Sequence, residues 1–298
     1  MLKMKSGWRE NLFSAVLYII LIGFTIIVFY PFYLSVILSF NDGTDAVKGG
    51  IFFWPRVFTL SNYEFVFSNP QIGGAAIISV LRTFTGTIST LVITSSFAYA
   101  VSKPRLMFRK FYMIAGLITM YFGGGLIPFY LLIRDLNLFN NFLVYILPNL
   151  FGMYNAIIFI TFFREIPASL EESARIDGAN DLLIFLRIFI PISTPVYATI
   201  ALFAGVGQWN SWFDTMMYTN KPGLNTLSHL LTKMINQQQF VKDLSKSMSG
   251  NISSMAMSVT PTALMLATMV VTTFPIIVLY PFLQKYFVKG IMIGSVKE

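Results

Sequence analysis

The sequence predicts an all-α membrane protein of six transmembrane helices with both termini cytoplasmic. Three observations carry that expectation. Of 298 residues, 55% are hydrophobic and only 11% charged, against about a quarter charged in a soluble domain. The apolar residues come in long uncharged blocks, several reaching the roughly 20 residues that cross a bilayer as helix, and not in the short alternating segments of a membrane barrel. Lysine and arginine also gather in alternate connecting segments, as positive flanking of cytoplasmic helix ends requires.

The first block, 13–40, is too long for a signal-peptide core and no small-residue cleavage site follows it, so it reads as a retained helix. The second runs over about 80–101, the third over 111–133 and the fourth over 142–163. The fifth covers about 194–213 and the sixth about 261–282. The predicted organisation is thus a cytoplasmic N-terminus at 1–12, a membrane domain at 13–283 and a cytoplasmic tail at 284–298. An inside loop lies at 164–191 and a long outside loop at 214–260. In this topology Lys3, Lys5, Arg9, the 103–110 cluster, Arg164, Arg175, Arg187, Lys285, Lys289 and Lys297 are inside. Outside are Lys48, Arg56, Arg134 and four lysines of the long loop, which constrains orientation least.

The net charge of +8 is explained by this flanking without invoking nucleic acid. With no cysteine, disulfides and thiolate sites are excluded. His229, the only histidine, cannot make a zinc site alone. There is no G-x-x-x-x-G-K-[ST] loop and no Gly-Lys dipeptide at all, so no nucleotide-phosphate cradle is visible. No nucleophile–base pair is visible either, and the chain reads as a non-enzyme that binds no cofactor.

Arg82 falls near the outer end of the second span. It is expected to snorkel to the headgroups, the alternative being a polar group facing a translocation path. In the outer loop Leu227, Leu230, Leu231, Met234 and Ile235 recur at helical spacing. They predict a short amphipathic helix, lying on the membrane or a partner or packed on the protein's own helices. Pro31, Gly123 to Gly125, Pro128, Pro148 and Pro275 punctuate the spans. Such breaks often border solute sites, and they are also common in ordinary membrane helices.

The inside loop is the most informative stretch. Ser169 and Glu172 form an S-x-x-E capping box that starts a helix. Gly178 can end that helix in a left-handed conformation, and Asn180 or Asp181 can cap a second helix. Ser173, Ala174, Gly178 and Ala179 are small enough to let another protein approach, with Glu171, Arg175 and Asp177 supplying charge around them. The residues alone leave two readings open: a docking knob, or a self-contained hairpin with Glu172 only a cap.

The string Glu172-Ser173-Ala174-x-x-x-Gly178, then nine residues to Ile188-x-Ile190-Pro191, resembles the E-A-A-x-x-x-G-x9-I-x-L-P motif of binding-protein-dependent ABC importer permeases. Ser173 and Ile190 depart from it, both conservatively in size. The fuller Leu170-to-Ala179 string with Pro191 and Pro195 is similar to the carbohydrate branch, of the maltose-transporter second-permease type. Phe58-Thr-Leu-Ser-Asn-Tyr63, Ala98-Tyr-Ala-Val-Ser102, Gln208-Trp-Asn-Ser-Trp212 and the tail from Gln284 through Lys297 resemble that branch too.

This resemblance implies a type I ABC importer permease fold in a bacterial cytoplasmic membrane. It implies that 172–178 is a coupling helix seated on a separate ATPase, where ATP and Mg²⁺ would be bound. It further implies a homologous second permease forming a heterodimer, two ATPase subunits, a solute-binding protein touching the long outer loop, and an oligosaccharide substrate moved by alternating access. Sugars are held by aromatic faces and by amide and hydroxyl hydrogen bonds. The candidates at membrane depth are Tyr121, Tyr154, Asn155, Trp209, Asn210 and Trp212. Lys233, Lys242, Lys246 and Arg82 would suit an acidic, uronate-containing oligosaccharide. Two rivals stay open at this point: a permease of the same superfamily for a non-sugar solute, and an ion-coupled secondary transporter. The latter expects an intramembrane carboxylate, and no acidic residue falls near a span's centre.

Overall fold

The computed structural model describes residues 8–247 and 260–295. Every named element is helical, apart from an isolated antiparallel bridge between Asn41 and Phe58. In chain order the helices are α1 (Trp8–Ser39), α2 (Gly43–Val47), α3 (Ser61–Ser68), α4 (Pro70–Ser102), α5 (Arg109–Tyr121), α6 (Leu126–Asp135) and α7 (Met153–Glu165). They continue as α8 (Ala168–Ile176), α9 (Asp181–Ile184), α10 (Ile190–Ile192), α11 (Thr194–Asn210), α12 (Phe213–Tyr218), α13 (Leu227–Ser247) and α14 (Pro261–Ser295).

Three of the six expected spans are continuous helices long and apolar enough to cross a bilayer: α1, α4 and α14. The expected third and fourth spans are each a bent pair of helices, and the fifth is carried by α11. The third bends by 113° between α5 and α6. The break falls on the glycine run, with Gly125 at φ 85°. The fourth bends by 49° between a 3₁₀ stretch, Phe142–Asn149, and α7. Just before the fifth, a segment from Asp181 to Ile192 meets α11 at 82°. Hydrophobicity reports the length of a span. It does not report where backbone hydrogen bonding lapses, which glycine and proline decide locally. The second helix also begins ten residues earlier than expected, at Pro70, whose preset φ suits a first helical position.

The chain divides into two compact units. One comprises the chain to Asn69 together with Met234–Thr272. Here α1 exposes its apolar side chains along most of its length, and the segment after it is knotted by buried amides. Asn62 donates to the carbonyls of Ser39 and Asn41, both at 2.9 Å. Asn41 Oδ1 accepts from the Val57 amide at 2.9 Å. The Phe40 ring stacks on Phe58 and meets Tyr63 at a tilt, and the Tyr63 hydroxyl pairs with Ser39. The 58–63 string therefore has a structural role, closing this loop.

The other unit comprises Pro70–Lys233 and Thr273 onward. α4 is its spine, packed along α7 and α11. Its largest core gathers Ala98, Tyr99 and Val101 of α4, Phe159 and Phe163 of α7, and Ile184, Phe185 and Phe189 after the hairpin. Tyr99 sits among the rings, 4.9 Å from both Phe185 and Phe189 and 6.5 Å from Phe163. The predicted outer-loop helix is present as α13, and Leu227 and Leu230 at its start are buried. Ser79 accepts a hydrogen bond from the Leu227 amide, so this end packs on the protein itself.

Candidate functional site

Two sites form in the second unit. The first is the hairpin of α8 and α9. α8 starts one residue before Ser169, with Pro167 as its cap and no side-chain cap hydrogen bond. The expected capping box is therefore absent, because Ser169 already lies inside the first turn. The C-terminal prediction holds in detail. Gly178 has φ 82°; its amide bonds Arg175 O at 3.0 Å, and the Ala179 amide reaches back to Ala174 O at 2.9 Å. These are the paired bonds of a Schellman end. Asn180 then caps α9 by accepting from the Leu183 amide at 2.9 Å.

The residues predicted to dock a partner divide between two faces. Ala174 and Ala179 pack inward against the aromatic core. Glu171 and Arg175 are joined at 2.6 Å, and Arg175 also reaches Asp181 at 2.8 Å. Lys103, just after α4, pairs with the other Glu171 oxygen, and Arg105 pairs with Asp181. Burial works against the Glu171 charge, but the hydrogen bonds from Lys103 and Arg175 outweigh it and hold the carboxyl below its ordinary range. Glu171 and Arg175 are thus committed within the chain. Glu172, Ser173, Asp177 and Gly178 remain on the exposed face, with Ile176, 87% exposed, at its centre. Sequence reasoning missed Ile176, an apolar residue that would have read as core. It also missed Lys103, Arg105 and Asp181 as the staple, since no local pattern links them to α8.

The second site is a cleft of about 300 Å³ lined by Arg82, Thr90, Asn149, Asn155, Gln208 and Ser211, with Pro148, Phe151, Gly152, Phe203, Ala204 and Gly207. Amides and hydroxyls beside two phenyl rings suit a ligand with both C–H faces and hydroxyl groups. Asn155 is the sequence candidate that reaches it, together with Arg82. Trp209 instead lines a separate apolar groove with Phe84 and Leu279. Tyr121, Tyr154, Asn210 and Trp212 are exposed and do not line the cleft. Asn149, Gln208 and Thr90 were not anticipated; the turn at Pro148 and Gly152 was the available signal.

Arg82 does not snorkel. Its side chain is fully buried. Nε and Nη2 donate to Gln208 Oε1 at 3.1 and 2.9 Å. Nη1 reaches Ser211 O and Asp214 Oδ1, both at 3.2 Å, and Nη2 reaches Asp214 Oδ2 at 2.6 Å. The guanidinium lies 4.3 Å from the Tyr145 ring centroid. A guanidinium has five N–H donors, and all five are engaged. A buried charge is tolerated only when so paired, and helix α4 places it beside Gln208 of α11.

Long apolar helices, several of them broken around a polar cleft, with a stapled hairpin that leaves an exposed knob, define an integral membrane transport subunit. No family model matches the chain. It is 35% identical over 291 residues, 97% of this chain and 99% of the relative, to the polygalacturonan/rhamnogalacturonan transport system permease protein YtcP of Bacillus subtilis (strain 168). It is 36% identical over 92% of its length, and 91% of the relative's, to protein LplC of the same organism. A crystal structure of a bacterial ABC transporter involved in the import of the acidic polysaccharide alginate covers 94% of this chain and 98% of its own, at TM-score 0.85 and 29% identity. The chain belongs to the ABC transporter permease proteins of sugar and oligosaccharide uptake. That membership excludes the ion-coupled rival.

Proposed function

We propose that this chain is one transmembrane half of an ATP-driven, binding-protein-dependent oligosaccharide importer of a bacterial cytoplasmic membrane. It crosses the membrane six times, with 1–12 and 284–298 in the cytoplasm. The partners are a homologous second permease, two ATPase subunits that hold ATP and Mg²⁺, and an extracytoplasmic binding protein. The exposed face of α8 seats in the ATPase, and the cleft at Asn149, Asn155 and Gln208 belongs to the sugar path. The substrate is a uronate-containing oligosaccharide. Support for that last step comes from the relatives, one named for polygalacturonan and rhamnogalacturonan transport and one involved in alginate import. Arg82 contributes nothing to it, because its donors are spent within the chain.

The observation that carries the proposal is the knob itself. Ile176 stands 87% exposed on a helix whose opposite face is fixed by ion pairs. An isolated exposed isoleucine is ordinary; one centred on a Schellman-ended hairpin that matches the coupling motif is positioned for contact. The test is co-purification of the ATPase with wild type and Ile176→Asp, followed by ATPase activity of the reconstituted assembly with loaded binding protein. The substitution is expected to leave folding unchanged and to abolish ATPase association and stimulation. Retained association would overturn the docking assignment. Stimulation by neutral oligosaccharides alone would overturn the acidic substrate.

A further inference from the structure

Lys103 lies in the staple beneath the docking helix, away from its exposed face, and carries that staple to the end of α4. It follows the last residue of α4, and its ammonium lies 4.3 Å from the Tyr99 ring centroid and 4.0 Å from that of Phe189. It is 8% exposed and is bonded to Glu171 of α8. A lysine held over two ring faces and paired to a carboxylate has little freedom left, because each contact fixes the same ammonium. Glu171 is in turn tied to Arg175, and Arg175 to Asp181 at the start of α9. The docking helix is therefore fastened to the end of α4 through charge and not only through the two alanines beneath it.

Near its middle α4 is held as well. Arg82 grips Gln208, Ser211 and Asp214. One turn on, Gly86 lets α11 approach so closely that a Cβ there would stand 2.6 Å from Gln208 Nε2. Arg82 and Thr90 of α4 both line the cleft. From Arg82 to Ser102 is 20 residues of helix, about 30 Å at 1.5 Å per residue. α4 crosses that distance without a break or an internal proline, whereas the expected third and fourth spans bend by 113° and 49°.

We propose that Lys103 is the positioning residue that makes the docking helix and α4 one rigid body, so that movement of α8 by the ATPase reaches the cleft through α4. The proposal rests on the reading of α8 as the ATPase-docking element. It predicts a defect in coupling: variants lacking the Lys103 charge keep the ATPase bound and hydrolysing but move less substrate per ATP.

The chain carries no cysteine, so paired labels can be placed without removing native thiols. Spin labels at Ser96→Cys on α4 and Leu170→Cys on α8, both exposed positions, report the separation in the reconstituted assembly, without nucleotide and with trapped ATP. Wild type is expected to give one distance unchanged between the two states. Lys103→Met, which keeps the apolar stem, is expected to give a broadened or second distance and about ten-fold less uptake per ATP hydrolysed, the size of a typical coupling free energy. Lys103→Arg, which keeps charge and ring contact, should resemble wild type in both readouts, and this separates coupling from misfolding. A wild-type distance that changes with nucleotide, or Lys103→Met with unchanged uptake per ATP, would overturn the proposal. If Ile176→Asp retains the ATPase, the docking assignment has failed instead, which the distance measurement distinguishes.

Discussion

Replacing Asp214 by alanine would strip Arg82 of its counter-charge while leaving the guanidinium where no water reaches it. Two of the five donor contacts go to that carboxylate, at 2.6 and 3.2 Å, and the Arg82 side chain has no exposed surface. Removing one member of a buried pair costs about 3–5 kcal/mol, because the remaining charge stays desolvated. Arg82→Met should cost about as much, for a different reason. Asp214 would keep the Ser211 hydroxyl at 2.8 Å and the Thr215 amide at 3.1 Å, and it retains 14% exposure. Gln208 Oε1 would lose both of its Arg82 donors and Ser211 O one, each stranded acceptor being worth about 1–3 kcal/mol. The double variant should therefore be more stable than the two single losses added together, by about 1 kcal/mol or more. The assay is the thermal midpoint of detergent-solubilised protein followed by monodispersity. Asp214→Ala is expected to lower it by on the order of 10 °C. A midpoint within about 2 °C of wild type, or strictly additive losses, would mean that Arg82 is hydrated and the buried clamp is wrong.

Three further outcomes follow from the same geometry. Gly178→Ala forces a Cβ into φ 82° and should cost about 1–2 kcal/mol, with Gly178→Asn costing less; thermal midpoints of the pair check it. Gly86→Ala drives a methyl against Gln208 and should cost about 1–3 kcal/mol as overpacking, detectable as a lowered midpoint; because Gln208→Ala strands two Arg82 donors but removes the clash, the double variant should lose less than the two single losses added. The Glu171 carboxyl titrates below its ordinary value of 4.5. A carboxylate with a lowered folded pKa stabilises above its unfolded value and loses that contribution as pH falls through the folded one. The distance between labels at Ser96→Cys and Leu170→Cys should therefore be constant from neutral pH down to about pH 5 and loosen only below the ordinary carboxylate range.

Much of the hairpin was legible because its signals are local. The Gly178 stop, the Asn180 cap and the separation of α8 from α9 depend on hydrogen bonds within a few residues, and the structure places each as expected. The capping box failed because Pro167 starts the helix one residue before Ser169. Of the aromatic and amide candidates for the sugar path, Asn155 lines the cleft, while Trp209 turns to an apolar groove. With aromatics making up 16% of the chain, composition does not say which ring faces which wall.

The sequence by itself determined that the chain is helical and membrane-embedded, and that 168–190 is a glycine-punctuated hairpin matching the coupling motif, since hydropathy, capping and φ preference act over one or two helical turns. Tertiary structure alone decided what the charges do. Arg82 meets partners 126 and 132 residues away, and Lys103 meets Glu171 across 68. The decisive energy for a buried charge is desolvation offset by a partner, and which partner arrives depends on how α4, α7 and α11 pack. For the same reason a span drawn as a uniform apolar run can fold as one straight helix, as α4 does, or break around a cleft.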